Sequence, residues 1–86
     1  MERKQPTKNA VAKAFGLALR DSRLASGQTQ EQLANISKLH RTSIGLFERG
    51  IKSPSLDTFF RLANALGTTP QSLIAATCER LAGGRK

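Results

Sequence analysis

Apolar residues recur at three- and four-residue spacing from about Ala10 onward. Val11, Phe15, Ala18 and Leu19 share one side of a predicted helix, Arg20 and Arg23 lie on its polar side, and Gly27 stops it. Thr29 can cap a second helix, with Glu31 near its positive dipole end and Leu33 and Ala34 facing inward. Ser37 to His40 forms a short connection. A third helix runs from about Arg41 to Arg49 and ends at Gly50, a common left-handed stop. After a Lys52-Ser53-Pro54 loop, Ser55 caps a fourth helix with Asp57 in its first turn. Leu56, Phe59, Phe60, Leu62, Ala63 and Leu66 supply its apolar side, and Gly67 ends it. Thr69-Pro70 places a cap before a proline at the first position of a fifth helix. That helix carries Leu73, Ile74, Thr77, Cys78 and Leu81 on one stripe and ends before Gly83-Gly84. No stretch alternates apolar and polar residues, so no sheet is expected, and there are no internal repeats.

The expected architecture is therefore all-α: one compact domain of five helices over residues 10–82, with a basic arm at 1–9 and a basic tail at 83–86. At 86 residues the chain suits a single small domain. Its aromatics are four Phe with no Trp or Tyr, so Leu, Ile and Ala must fill most of the core.

Charge narrows the class of partner. Fourteen Lys and Arg against six Asp and Glu give a formal net charge of +8, which favours nucleic acid, an acidic membrane or an acidic protein. A single cysteine, Cys78, allows no intrachain disulfide and fits a reducing cytoplasm. One His and one Cys, far apart, make no metal cluster, and nothing calls for a cofactor. No apolar run approaches the ~20 residues that cross a bilayer, and no apolar segment follows the charged N-terminus as a secretory signal needs. No paired carboxylates or nucleophile–base set appears, so the chain does not read as an enzyme.

The informative stretch is Thr29 to Gly50, TQEQLANISKLHRTSIGLFERG. Gln30, Leu33, Ala34, Ile44, Phe47, Glu48 and Gly50 fall at the spacing of a helix-turn-helix spanning about 29–49. Small Ala34 permits a close crossing of the second and third helices. Leu33, Ile44 and Phe47 hold them at a steep angle, leaving the outer side of 41–49 free to enter a major groove ~12 Å wide. A merely solvated face would carry Lys, Glu and Gln. This one carries Arg41, Thr42, Gly45 and Leu46.

These residues resemble the helix-turn-helix family of the lambdoid phage repressors and Cro. LHRTSIGLFERG followed by PSLDTFFRLANALG is similar, within that family, to the controller proteins of restriction–modification systems. The likeness runs from about Phe15 to Ile74, through "TQEQLA", "I…FERG", "PSL" and "LANALGTTPQSL". It implies a lambda-repressor-like, sequence-specific transcription regulator. The chain departs from the family at three places. Lys38 stands where Gly is frequent, at a cost of ~1 kcal/mol if left-handed. Ser22 stands where a large apolar residue is frequent. Gly45 stands where Ser or Thr is frequent, weakening the helix by ~1 kcal/mol.

On that reading Arg41 can pair with guanine O6 and N7, or meet phosphate, or stay solvated. Thr42 and Ser43 can donate to bases or phosphate, Leu46 can meet a thymine methyl, and His40 is a base contact, a phosphate contact or a helix cap. The resemblance makes Thr29 and Gln30 phosphate clamps at a positive helix end, with Arg49, Lys52 and Ser53 on the neighbouring backbone. Glu48 reads as structural, paired with Arg20 or Arg23. Arg3, Lys4 and Lys8 of the arm either fray or follow a groove.

One recognition helix reads few base pairs. The family dimerises on half-sites about one helical turn, ~34 Å, apart, and the stripe of Leu73, Ile74, Thr77, Cys78 and Leu81 is the surface expected to pair, though core packing takes part of it. Cys78 reads as a small buried apolar residue rather than a redox sensor. The expected partners are double-stranded DNA with an inverted repeat, a second copy of the chain, and RNA polymerase. A phage repressor or Cro-like regulator and an antitoxin remain alternatives, as does a protein-interaction module that binds no DNA.

Overall fold

In the computed structural model, which describes residues 5–83, side-chain oxygens of Thr7, Thr29, Ser55 and Thr69 accept from the backbone N–H groups of Ala10, Gln32, Thr58 and Ser72 at 3.0–3.3 Å. Each satisfies a donor that a helix start leaves without a partner. The helices they begin are α1 (Lys8–Ala25), α2 (Gln30–Ser37), α4 (Leu56–Ala65) and α5 (Pro70–Gly83). The remaining helix is α3 (Arg41–Glu48). At Thr29 the cap is reciprocal, because the Gln32 side chain accepts from the Thr29 N–H at 2.9 Å.

α1 begins two residues before the Ala10 expected from periodicity, because Thr7 caps it. Lys8 is thus an exposed helical residue rather than part of a loose arm, while Arg3 and Lys4 lie outside the described residues. Gly83, expected to begin the basic tail, belongs to α5, and 84–86 lie outside the described residues.

The first four helices end in one recurring motif. A residue of positive φ lets the next N–H reach back to a carbonyl five positions earlier: Gln28 to Arg23, Leu39 to Ala34, Ile51 to Leu46 and Thr68 to Ala63, at 2.9–3.2 Å. Glycine supplies that φ at Gly27, Gly50 and Gly67, but Lys38 supplies it in the turn between α2 and α3, at φ +61°. The Arg61 guanidinium donates to the Lys38 carbonyl at 2.9 Å and anchors this turn to α4.

Phe15, Leu19, Leu33, Ala34, Ile44, Phe47, Phe59, Leu62, Ala63, Leu66 and Leu73 form one continuous core drawn from all five helices. Phe15 and Phe59 meet within it, their ring centroids 5.8 Å apart. α5 packs chiefly along α1, and Arg80 and Asp21 add an ion pair on the exposed side of that seam.

Two stripes are narrower than their sequence pattern. In α4, Phe59 is buried, whereas Leu56 and Phe60 are 73% and 53% exposed. In α5, Leu73 and Thr77 point into the protomer's own core, the Thr77 hydroxyl donating to the Leu73 carbonyl at 2.9 Å. These two are therefore not available to a second copy, contrary to expectation. Ile74 is exposed and Leu81 half-buried. Cys78 is exposed rather than buried. Successive helical residues differ by ~100°, and the narrow buried side of α5 takes Leu73 and Thr77 and leaves Ile74 and Cys78 outside it.

Candidate nucleic-acid interface

The placement of α3 is decided by what it touches on α1. A Cβ added to Gly16 would lie 2.4 Å from the Phe47 carbonyl oxygen and 2.7 Å from that of Glu48. Only the bare backbone of glycine admits so close a crossing. Two turns on, Arg23 of α1 grips Glu48 through Nε to Oε2 at 2.6 Å and Nη2 to Oε1 at 3.1 Å, and its Nη1 donates to the Gln28 carbonyl at 2.9 Å. Both side chains are nearly shielded from water, 10% and 5% exposed. Hydrogen bonding to Glu48 raises the Arg23 pKa above its ordinary value, against the opposing effect of burial. Of the two arginines considered for Glu48, Arg23 is thus the partner, while Arg20 is exposed. Gln30 joins the network, its Nε2 donating to Glu48 Oε1 at 3.0 Å. The carboxylate that would otherwise repel a polyanion is consumed inside the domain.

Ile44 and Phe47 are the buried residues of α3, leaving its opposite side outward. A concavity of about 420 Å³ on that side is lined by Gln30, Arg41, Thr42, Gly45 and Arg49. Arg41 also borders a second hollow with Thr29, Gln30 and Glu31 at the start of α2. On the other flank of α3, Ser43 shares a cleft with Lys52 and Ser53. Arg41, Thr42, Arg49, Lys52 and Ser53 are exposed. His40 occupies the position before α3 but makes no side-chain cap bond, so the cap reading lapses and its imidazole stays exposed. Leu46 is half-buried rather than fully outward, because the chain turns back beside it: Ile51 and Lys52 donate to its carbonyl at 3.0 and 3.4 Å. Thr29 spends its hydroxyl on capping α2 and Gln30 its amide on Glu48.

Most of the residues expected to meet DNA thus line three hollows around α3: Thr29, Gln30 and Arg41 one, Arg41, Thr42 and Arg49 another, and Ser43, Lys52 and Ser53 the third. Arg41, Arg49 and Lys52 are the cations among them, and the Arg49 Nε lies 3.4 Å from the Gly45 carbonyl. Two supports were not read from sequence. Gly16 carried a signal, a glycine inside a helix where alanine is better by ~1 kcal/mol. Arg61 carried none, since its partner is a backbone carbonyl 23 positions away.

A helix-turn-helix family profile matches residues 19–73. The chain belongs to the helix-turn-helix family. It is 40% identical over 77 residues to control protein C.BamHI of Bacillus amyloliquefaciens, covering 84% of this chain and 95% of that one. Among solved structures it is similar to the restriction–modification controller protein C.AhdI of Aeromonas hydrophila, with 42% identity and a TM-score of 0.70 over 72% of this chain and 94% of the other. It shares its fold with C.Esp1396I, a restriction–modification controller solved as a tetramer on its natural 35-base-pair operator. There the TM-score is 0.77 at 22% identity, over 84% and 95% of the two chains. The chain is a DNA-binding transcription regulator of controller-protein type, and none of its helices among the described residues is long and apolar enough to cross a membrane.

Proposed function

We propose that this protein controls a restriction–modification operon by binding an inverted-repeat operator as a homodimer, in the cytoplasm and without catalysis. The observation that carries the reading is the outer side of α3, where Arg41, Thr42 and Arg49 surround an open concavity while the one acid of the helix is tied to Arg23. Arg41 and Thr42 lie where base edges present acceptors in the major groove, and Ser43 and Leu46 flank them. His40, Arg49, Lys52 and Ser53 meet phosphates on either side, positioning the helix without reading sequence. Thr29 and Gln30 contribute the positive start of α2 rather than free side chains.

Each protomer reads only a few base pairs, so a second copy supplies the specificity. The surface for it combines Ile74, Cys78 and Leu81 of α5 with Leu56 of α4. Leu56 and Ile74 border an apolar cleft of about 340 Å³ that reaches down to Phe15 and Phe59. Occupancy of the operator follows the protein's own concentration, and the bound dimer activates or represses its own operon, with RNA polymerase as the further partner.

Selection of binding sites from a random duplex pool at physiological salt tests this. An inverted repeat whose half-sites lie about one helical turn apart is the expected result. Retention of DNA with no enriched sequence would overturn it, leaving only charge-driven binding.

A further inference from the structure

We propose that Gly45 is a specificity-determining position: its missing side chain opens the space through which the edge of one base pair in each half-site reaches the backbone of α3. The proposal rests on the reading of α3 as the recognition helix and says which part of that helix sets the choice of bases.

Gly45 lies inside α3, where glycine lowers helix stability relative to alanine. The fold does not ask for it. A Cβ built on Gly45 meets nothing within 4 Å, and its φ is not positive. Gly16 is the contrast, since there a Cβ would strike the backbone of α3. An alanine at 45 therefore fits the free protein and favours its helix, so the cause of the glycine lies in something that approaches from outside.

The surroundings indicate what approaches. Gly45 lines the outward concavity together with Gln30, Arg41, Thr42 and Arg49. Arg41 and Arg49 offer planar guanidinium donors from two sides of it, and Thr42 offers a hydroxyl. Such a donor set suits the acceptor atoms of a base edge. A helix with its side chains is ~10–12 Å across and the major groove is ~12 Å wide, so a single methyl on the inserted face alters how deeply the helix seats. A Cβ at 45 would occupy part of the space that the base edge takes.

Gly45→Ala in the full chain tests this with two readouts. Thermal unfolding should rise by a few degrees, as expected when a helix-interior glycine becomes alanine without a clash. Affinity for the duplex selected by the wild-type protein should fall at least tenfold, with binding to a scrambled duplex unchanged and the altered preference confined to one base pair of each half-site. Retained affinity and preference would overturn the proposal. Equal weakening on selected and scrambled duplexes would also overturn it, because the close approach would then be to sugar and phosphate. A lower unfolding temperature would overturn it by showing that the fold itself needs the glycine. A wild-type protein that enriches no sequence is a separate result, seen before any variant is made, and it removes the parent reading along with this one.

Discussion

Gly16 of α1 and Phe47 of α3 meet backbone to backbone, so closely that a Cβ on Gly16 would stand 2.4 Å from the Phe47 carbonyl oxygen. Backbone cannot swing aside as a flexible side chain can, so this contact sets how far α3 sits from α1. Alanine at 16 gains ~1 kcal/mol in helix propensity, but overpacking against a fixed backbone costs ~1–3 kcal/mol or more. The clash wins. Gly16→Ala should lower the thermal midpoint and weaken operator binding together, whereas Gly45→Ala should separate the two. Thermal unfolding of Gly16→Ala decides the sign, and an unchanged or raised midpoint would mean that the crossing relaxes freely.

Lys38 holds the turn at φ +61° and ψ +43°. A left-handed residue with a Cβ is strained by ~1–2 kcal/mol, and glycine returns part of that gain by loosening the unfolded chain. Lys38→Gly should therefore stabilise by ~1 kcal/mol, a rise of several degrees for a domain of this size. The carbonyl that Arg61 holds remains in place, so the turn should keep its geometry. Denaturant titration of the two proteins checks it, and a lower midpoint in Lys38→Gly would mean that the lysine side chain contributes more than its strain removes.

Arg41 and Lys52 are both exposed cations, but Arg41 borders the concavity on α3 and Lys52 lies in the loop beyond it. Arg41→Ala should cost ~1–3 kcal/mol on the selected duplex and relax preference at one base pair. Lys52→Ala should weaken all duplexes alike and flatten the dependence of log K on log salt by ~1 unit. Binding titrations across a salt series distinguish them. An unchanged preference in the first variant would place Arg41 on phosphate, and an unchanged slope in the second would remove Lys52 from the backbone contacts.

Leu73 and Ile74 are neighbours with opposite surroundings, 2% and 50% exposed. Glutamate at 73 would bury a charge without a partner, so Leu73→Glu should abolish cooperative unfolding. Ile74→Glu should fold normally, sediment as a monomer and bind a half-site-length duplex better than it discriminates the full operator. A folded Ile74→Glu protein that still sediments as a dimer would move the pairing surface away from α5.

The sequence determined by itself those features whose partners lie within a turn of helix. Thr29, Ser55 and Thr69 cap, Gly27, Gly50 and Gly67 stop, and the spacing from Gln30 to Gly50 marks the helix-turn-helix, because hydrogen bonds three to five residues long make each of these local. The outward position of Arg41 and Thr42 follows from the same periodicity once Ile44 and Phe47 are taken as inward. Tertiary structure decided whatever required knowing which helix lies against which. It chose Arg23 over Arg20 for Glu48, buried Phe59 and left Phe60 in water, turned Leu73 inward and Ile74 outward, and gave Gly16 and Gly45 opposite reasons for being glycine. An apolar stripe states that a helix has a buried side. The width of that side, and the backbone it presses against, are properties of its neighbour.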